Sequence, residues 1–302
     1  MIRNSITAYD GKQISVVEWA DVQNPIGIIQ ISHGMAEHAM RYDYFAKKMN
    51  EKGLIVVADD HRAHGYTDRE TLGYSKGDIW EGTLQDIKSV CEYAKNKYSQ
   101  QYERPLGVVL FGHSYGSFLT QAFIRRYPIL LSGAIIGGSN YFAGAVLPLG
   151  RLLARIRMTF VGPSKPNYLL KKMSFDVYNK NFERGTFISS IESECEKYKE
   201  DDMCGFICSS NFYYCFFKGA QKLYKKQGES LKGFNVLLVA GDKDPVGNMG
   251  KGIEKLNEWY KQQGASVNCI IYNGVRHEYL NDTSRLQAIT DIGAFACDYL
   301  RR

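Results

Sequence analysis

Gly112-His113-Ser114-Tyr115-Gly116 is the stretch of this chain whose residue types and spacing point most directly to chemistry. It follows an apolar run, Leu106 to Phe111, and precedes a helix-compatible segment, Ser117 to Arg126, that stops before Pro128. A serine in a sharp strand-to-helix turn takes a strained backbone conformation. Flanking glycines let such a turn pack tightly, so that Oγ stands exposed at the carboxyl edge of a sheet. A serine hydroxyl attacks a carbonyl only with a base to take its proton and an acid to orient the base. On turns of this kind the partners follow in the order Ser, Asp/Glu, His, on loops after later strands. His277 is the one histidine downstream of Ser114. For the acid, Asp242 and Asp244 both follow the run Phe234 to Ala240, and their spacing leaves either open. The charge that develops on the attacked oxygen needs backbone donors. Tyr115 N–H is the first candidate. Met35 N–H is the second, from His33-Gly34-Met35-Ala36-Glu37-His38 after the run Ile26 to Ser32.

These residues need a frame that gathers them at one edge. Ile2 to Tyr9 pairs in expectation with Lys12 to Ala20 as an antiparallel hairpin. Ile26 to Ser32, Leu54 to Ala58, Leu106 to Phe111, Ser132 to Gly137, Phe234 to Ala240 and Val267 to Tyr272 are near-continuous apolar runs, as expected of strands covered on both faces. Helical patterns lie between them: Leu84, Ile87, Val90 and Ala94 share one face, as do Leu286, Ile289, Ile292, Ala296 and Leu300. The alternation predicts an α/β fold with a mostly parallel eight-stranded sheet and helices on both faces. From about 141 to 232 the rhythm breaks into short helical patterns dense in Tyr and Phe, from Tyr141 to Phe217. The expectation is a core of 1–140 and 233–302 with a helical cap, 141–232, inserted in it.

Composition narrows the classes. The 302 residues are 44% hydrophobic and 23% charged, which suits a globular protein and excludes disordered and collagen-like chains. The net charge of +6 is spread among acids, so no nucleic-acid partner is expected. The N-terminus lacks the apolar core of a signal peptide, and no run is long enough to span a membrane. Seven cysteines without paired C-x2-C spacing read as reduced thiols, which points to the cytoplasm. His61 and His64 follow a strand end without an accompanying acid–His cluster, so no metal is expected. His33 and His113 read as braces for their loops. Leu149, Leu152, Leu153, Ile156 and Phe160 fall at helical spacing between arginines. That stripe could touch a lipid surface, but packing onto the core is the favoured expectation.

At this point the chain resembles the α/β-hydrolase family of monoacylglycerol lipases and bacterial lysophospholipases, the group also labelled serine aminopeptidase-like. The resemblance rests on Ser32 to His38 with Arg41-Tyr42, on Asp60-His61-Arg62-Ala63-His64-Gly65, on the Ser114 turn, on Gly241-Asp242-Lys243-Asp244 and on His277. It implies Asp244 as the acid and Met35 and Tyr115 as the oxyanion donors. It also implies that Glu37 and Arg41 line a polar pocket for the alcohol portion, with Tyr198 of the cap as a third member. The chain departs from the pattern at Tyr115 and Ser117, where Met and a second Gly are usual. It departs again at Ala63, where Gly is usual, and at Leu280, where the mammalian lipases have a second His.

The expected activity is cofactor-free hydrolysis of monoacylglycerol- or lysophospholipid-like esters through an acyl-enzyme on Ser114. The aromatic cap would supply an apolar tunnel for the acyl chain. One alternative is a small-peptide or amide hydrolase on the same triad, with the cap acids Glu192, Glu194, Glu196, Glu200, Asp201 and Asp202 holding the substrate ammonium. Another is a catalytically silent binding scaffold.

Overall fold

The computed structural model describes residues 1–183, 185–225 and 228–301. The eight expected runs form β1 (Ile2–Thr7), β2 (Gln13–Trp19), β3 (Gly27–Ser32), β4 (Leu54–Asp59), β5 (Val108–His113), β6 (Gly133–Gly137), β7 (Asn235–Gly241) and β8 (Ser266–Tyr272). They make one sheet in the order β1-β2-β4-β3-β5-β6-β7-β8. β1 and β2 run antiparallel, and every pairing from β4 through β8 is parallel. The six residues of β3, of β4 and of β5 are all buried, which is why these strands lack polar alternation.

Helices α1 (Asp43–Asn50), α2 (Ile79–Gln101), α3 (Tyr115–Ile124), α4 (Val146–Phe160), α5 (Tyr168–Lys171), α6 (Val177–Asn179), α7 (Glu192–Glu200), α8 (Ser210–Ala220), α9 (Lys251–Gln262) and α10 (Arg285–Leu300) complete the chain. Successive strand residues point to opposite faces, so the core divides in two. Ile29, Ile31, Val109, Phe111 and Leu237 pack with α1 and α10. Leu110 on the other face meets α2 and α3, while Ile136 and Leu238 meet α9.

All of α4 to α8 lies between β6 and β7. Ser209 caps α8 by accepting the Phe212 N–H, and the helix then drives Phe212, Tyr213 and Phe216 into the cluster around Tyr115, Phe118 and Trp80. The favoured expectation for the α4 stripe holds only at Leu153, which packs against the core. Leu152 (55%) and Phe160 (83%) are exposed, as are Leu149 and Ile156, while Leu147, Gly150 and Ala154 face inward. The reason is size. Gly150 lets the helix approach until a β-carbon there would stand 2.7 Å from the Phe217 ring, so the small-residue face docks and the bulky one is left outside.

Among the described residues no helix is long and apolar enough to cross a membrane. The nucleophile turn depends on close backbone approach. A β-carbon on Gly116 would collide with the Ser32 carbonyl, and one on Gly112 with Thr120 and the Gly116 carbonyl. Gly116→Ala is expected to cost about 3 kcal/mol or more, because the obstacle is backbone that cannot rotate away. A melting scan checks this; the fall in Tm should be about 5 °C or more.

Candidate active site

β5 ends at His113, α3 begins at Tyr115, and Ser114 carries the whole reversal between them at φ 52°, ψ −118°. Few non-glycine residues occupy this region, and holding one there costs roughly 1–3 kcal/mol. Backbone bonds hold it: Ser114 N–H donates to Gly137 O of β6 at 3.0 Å. Its carbonyl accepts from Ser117 N–H at 2.9 Å and Ser117 Oγ at 2.6 Å.

The two candidate acids separate cleanly in space. Asp242 accepts the Gly274 N–H at 2.7 Å and so joins the β7 and β8 loops. Asp244 is fully buried, with Oδ2 2.9 Å from His277 Nδ1 and Oδ1 accepting the Val246 N–H. Burial opposes a charged imidazole at His277, but the Asp244 carboxylate outweighs it, and the net direction is above the ordinary histidine value. His113 packs beside it, its tilted ring 4.8 Å from that of His277; burial holds it neutral, down to about 3.

The loop after β3 has its peptide planes held one by one. Gly34 N–H donates to Glu37 Oε1 at 2.5 Å. His33 Nδ1 lies 2.8 Å from Gly34 O, and since His33 Nε2 accepts the His61 N–H, Nδ1 is the donor. In a trans peptide the C=O and N–H point in opposite directions, so holding Gly34 O aims Met35 N–H the other way. Ala36 sits at φ 57°, with N–H donating to His64 Nε2 at 3.1 Å. Ala36 O accepts from Tyr198 Oη at 2.8 Å and Gly205 N–H at 3.0 Å, both from the cap. Burial pushes His33 well below its usual range and His64 to about 3, which keeps both rings neutral. His61, in turn, bridges Asp59 and Ser32. The ring nitrogens of His33 and His64 thus brace backbone, and those of His61 brace side chains. Ala63, at φ 70°, explains why a glycine is at home there.

Arg41 forms a fork on Glu278 at 2.6 and 2.7 Å and reaches Glu37 Oε2 at 2.9 Å. Its guanidinium lies 4.8 Å from the Tyr198 ring centre. Burial would raise the Glu278 carboxyl, but the Arg41 fork overrides it and holds it at about 2. At Glu37 burial dominates, with the Glu278 charge adding to it, and the carboxyl is pushed up. Sequence reasoning missed Glu278; its one signal is adjacency to His277, and the pairing with Arg41 spans 237 positions.

A cavity of about 280 Å³ collects Ser114, His277, Met35, Tyr115, Glu37, Glu278 and Tyr198 on one side. Its remaining wall is mostly apolar, including Phe118, Phe142, Leu170, Phe187, Tyr213 and Phe217, with His113 and Ser174 among them. Arg41 lies behind this wall in a narrow adjoining space with Glu37 and Asn281. The cap is tied to the site by backbone. His277 N–H donates to Phe187 O and Glu278 N–H to Ile188 O, at 3.1 and 2.8 Å. His38, Asp201 and Cys204 bring three potential ligand atoms within 4.8 Å of one another. The His38–Asp201 pair is already closed at 2.8 Å, and burial pushes the Cys204 thiol far up, so the group acts as a cap–core tie.

Comparison with known proteins places the chain in a family. Residues 23–284 match the family model described as serine aminopeptidase, S33. A monoacylglycerol lipase of Mycolicibacterium smegmatis is 23% identical over 301 residues, covering 98% of this chain and 97% of that protein. The monoglyceride lipase of Homo sapiens is 26% identical over 275 residues, covering 89% and 80%. In structure, a thermostable carboxyl esterase from Bacillus coagulans in complex with glycerol superposes with TM-score 0.85, at 23% identity over 99% of this chain and 98% of that one. The chain is therefore an α/β-hydrolase of the serine aminopeptidase S33 family, a serine hydrolase of the monoacylglycerol-lipase-like group.

Proposed function

We propose that the protein hydrolyses esters of a long acyl chain with a small neutral alcohol, monoacylglycerol being the type substrate, through an acyl-enzyme on Ser114. The observation that carries the reading is one cavity with a largely apolar wall and a polar end at Ser114. His277, oriented by Asp244, takes the Ser114 proton as Oγ attacks the ester carbonyl. Met35 and Tyr115 N–H groups receive the oxyanion. His277 then hands the proton to the leaving alcohol, and a water molecule repeats the steps to release the acid. The residues supply all of this chemistry without a cofactor.

Within the ester class, charge favours a neutral leaving group. The polar end has two carboxyl groups, Glu37 and Glu278, around one guanidinium, so no surplus positive charge waits for a phosphate. The placement of the cap acids weighs against the amide alternative. Glu194 is engaged with Lys197 and Arg285, Asp201 with His38 and Asp202 with Arg69, and none of these acids lines the cavity. The exposed face of α4 borders the cavity through Val146 and Leu149, and with its flanking arginines it suits transient contact with a lipid surface.

Ser114→Ala should abolish fluorophosphonate labelling and ester turnover; retained turnover would overturn the mechanism. Across p-nitrophenyl esters, kcat/KM should climb up to about fourfold per methylene, the equivalent of ~0.8 kcal/mol of burial, until the cavity fills. Monoacylglycerol should be cleaved about tenfold or more faster than lysophosphatidic acid, given the cost of burying an unpaired phosphate.

The acid limb of kcat/KM should lie above pH 6.5, since His277 must shed a proton that Asp244 makes harder to lose. Asp244→Asn removes that charge and leaves burial opposed only by the weaker pull of Glu278 and Glu37. The limb should then move to lower pH, while kcat falls by about 10³–10⁴.

Leu152→Glu with Phe160→Glu should slow turnover of monoacylglycerol in anionic vesicles and leave a soluble short-chain ester unaffected. Equal rates on vesicles would remove the lipid-surface role.

A further inference from the structure

The oxyanion loop is held partly by residues that belong to the cap. Of the peptide groups from Gly34 to Ala36, those braced by His33, His64 and Glu37 draw their support from the core. The Ala36 carbonyl draws its support from the cap alone: Tyr198 Oη at 2.8 Å and Gly205 N–H at 3.0 Å. Two residues on, His38 Nε2 meets Asp201 Oδ2 of the cap at 2.8 Å. Ala36 is a non-glycine residue at φ 57°, a conformation that persists only where neighbours enforce it.

We propose that the cap segment from Tyr198 to Gly205 is a positioning unit for the oxyanion hole. It acts through Ala36 and His38 on the placement of Met35 N–H. The inference rests on the serine-hydrolase reading of Ser114. It gives Tyr198 a different part from the one the family resemblance implies. The Tyr198 hydroxyl spends its one proton on a backbone carbonyl, and its ring lies against Arg41, so its donor works on the loop and not on the substrate alcohol. A cap that seats correctly completes the hole, and one that does not leaves Met35 N–H poorly aimed.

Tyr198→Phe tests this by deleting one hydroxyl and keeping the ring over Arg41. Two substrates are compared: monoacylglycerol, and p-nitrophenyl butyrate, whose leaving group carries no hydroxyl to be recognised. A positioning role lowers kcat about tenfold on both, less than the ~10²–10³ for outright loss of an oxyanion donor, with KM within about twofold. Affinity for a trifluoromethyl ketone, whose hemiketal oxygen occupies the hole, falls in parallel, and the acid limb set by His277 stays in place. Asp201→Ala, which cuts the His38 tie, gives the same kcat-only pattern on both substrates. A loss confined to monoacylglycerol and seen in KM would overturn the proposal and make Tyr198 a contact to the alcohol. Unchanged kcat in both variants would overturn it as well. Melting curves of both variants confirm that the fold is retained. Failure of wild-type Ser114 to take a fluorophosphonate would instead sink the serine-hydrolase reading itself, which keeps the two failures distinct.

Discussion

The structure is organised around one backbone constraint: Ser114 must stay at positive φ, and nothing in a serine prefers that. The strain is met by the sheet. β6 lies beside β5 so that Gly137 O can accept the Ser114 N–H, and β3 lies on the other side so closely that Gly116 must lack a side chain. The strand order follows the same need. β5, which ends just before Ser114, is flanked by β3, which delivers the loop of Met35, with the strands that deliver Asp244 and His277 beyond β6. Each contributes from its carboxyl end, which the parallel arrangement turns to one edge.

A second requirement is polar groups buried without loss. The loop after β3 buries imidazoles and carboxyls where an unpaired group would be costly, and hydrogen-bond partners satisfy most of them. Removing one partner of such a pair typically costs about 3–5 kcal/mol, because the other is left uncompensated. Residue type alone does not separate this bracing from catalysis. Asp59, His61 and Ser32 form a hydrogen-bonded acid–imidazole–hydroxyl chain, and Asp244 and His277 make the same acid–imidazole bond. The difference is access: Asp59, His61 and Ser32 are fully buried, whereas Ser114 and His277 border a cavity. A hydroxyl that no substrate can reach serves only to hold structure.

That distinction marks what could be read from the chain. The eight strands were legible because doubly covered strands are continuously apolar, and Ser114 and His277 because glycine spacing and a single downstream histidine left little choice. Asp242 and Asp244 were not separable by spacing, since a two-residue offset decides which one turns under the histidine, and that depends on the loop between β7 and α9. Glu278 was invisible because its meaning lies in a partner on a distant loop. The α4 stripe misled because hydropathy ranks Leu and Phe above Gly and Ala. Helix docking on α8 instead rewarded the smaller side chains that permit close approach.

The cap is anchored unevenly, and this bears on how a substrate gets in. Residues 186–190 are bonded to the His277 loop, and residues 198–205 to the loop after β3, in each case through backbone groups. Among the described residues α4 makes no hydrogen bond to the sheet or its covering helices. Its polar ties, Arg151 to Gln221 and Arg157 to Pro166, stay within the cap. Val146, Leu149 and Gly150 of this helix nevertheless form part of the cavity wall. The strapped side of the cap adjoins the His277 loop and the loop after β3, and the unstrapped side adds apolar wall. An apolar group entering past α4 would therefore meet packing contacts rather than the hydrogen bonds that hold those two loops in place.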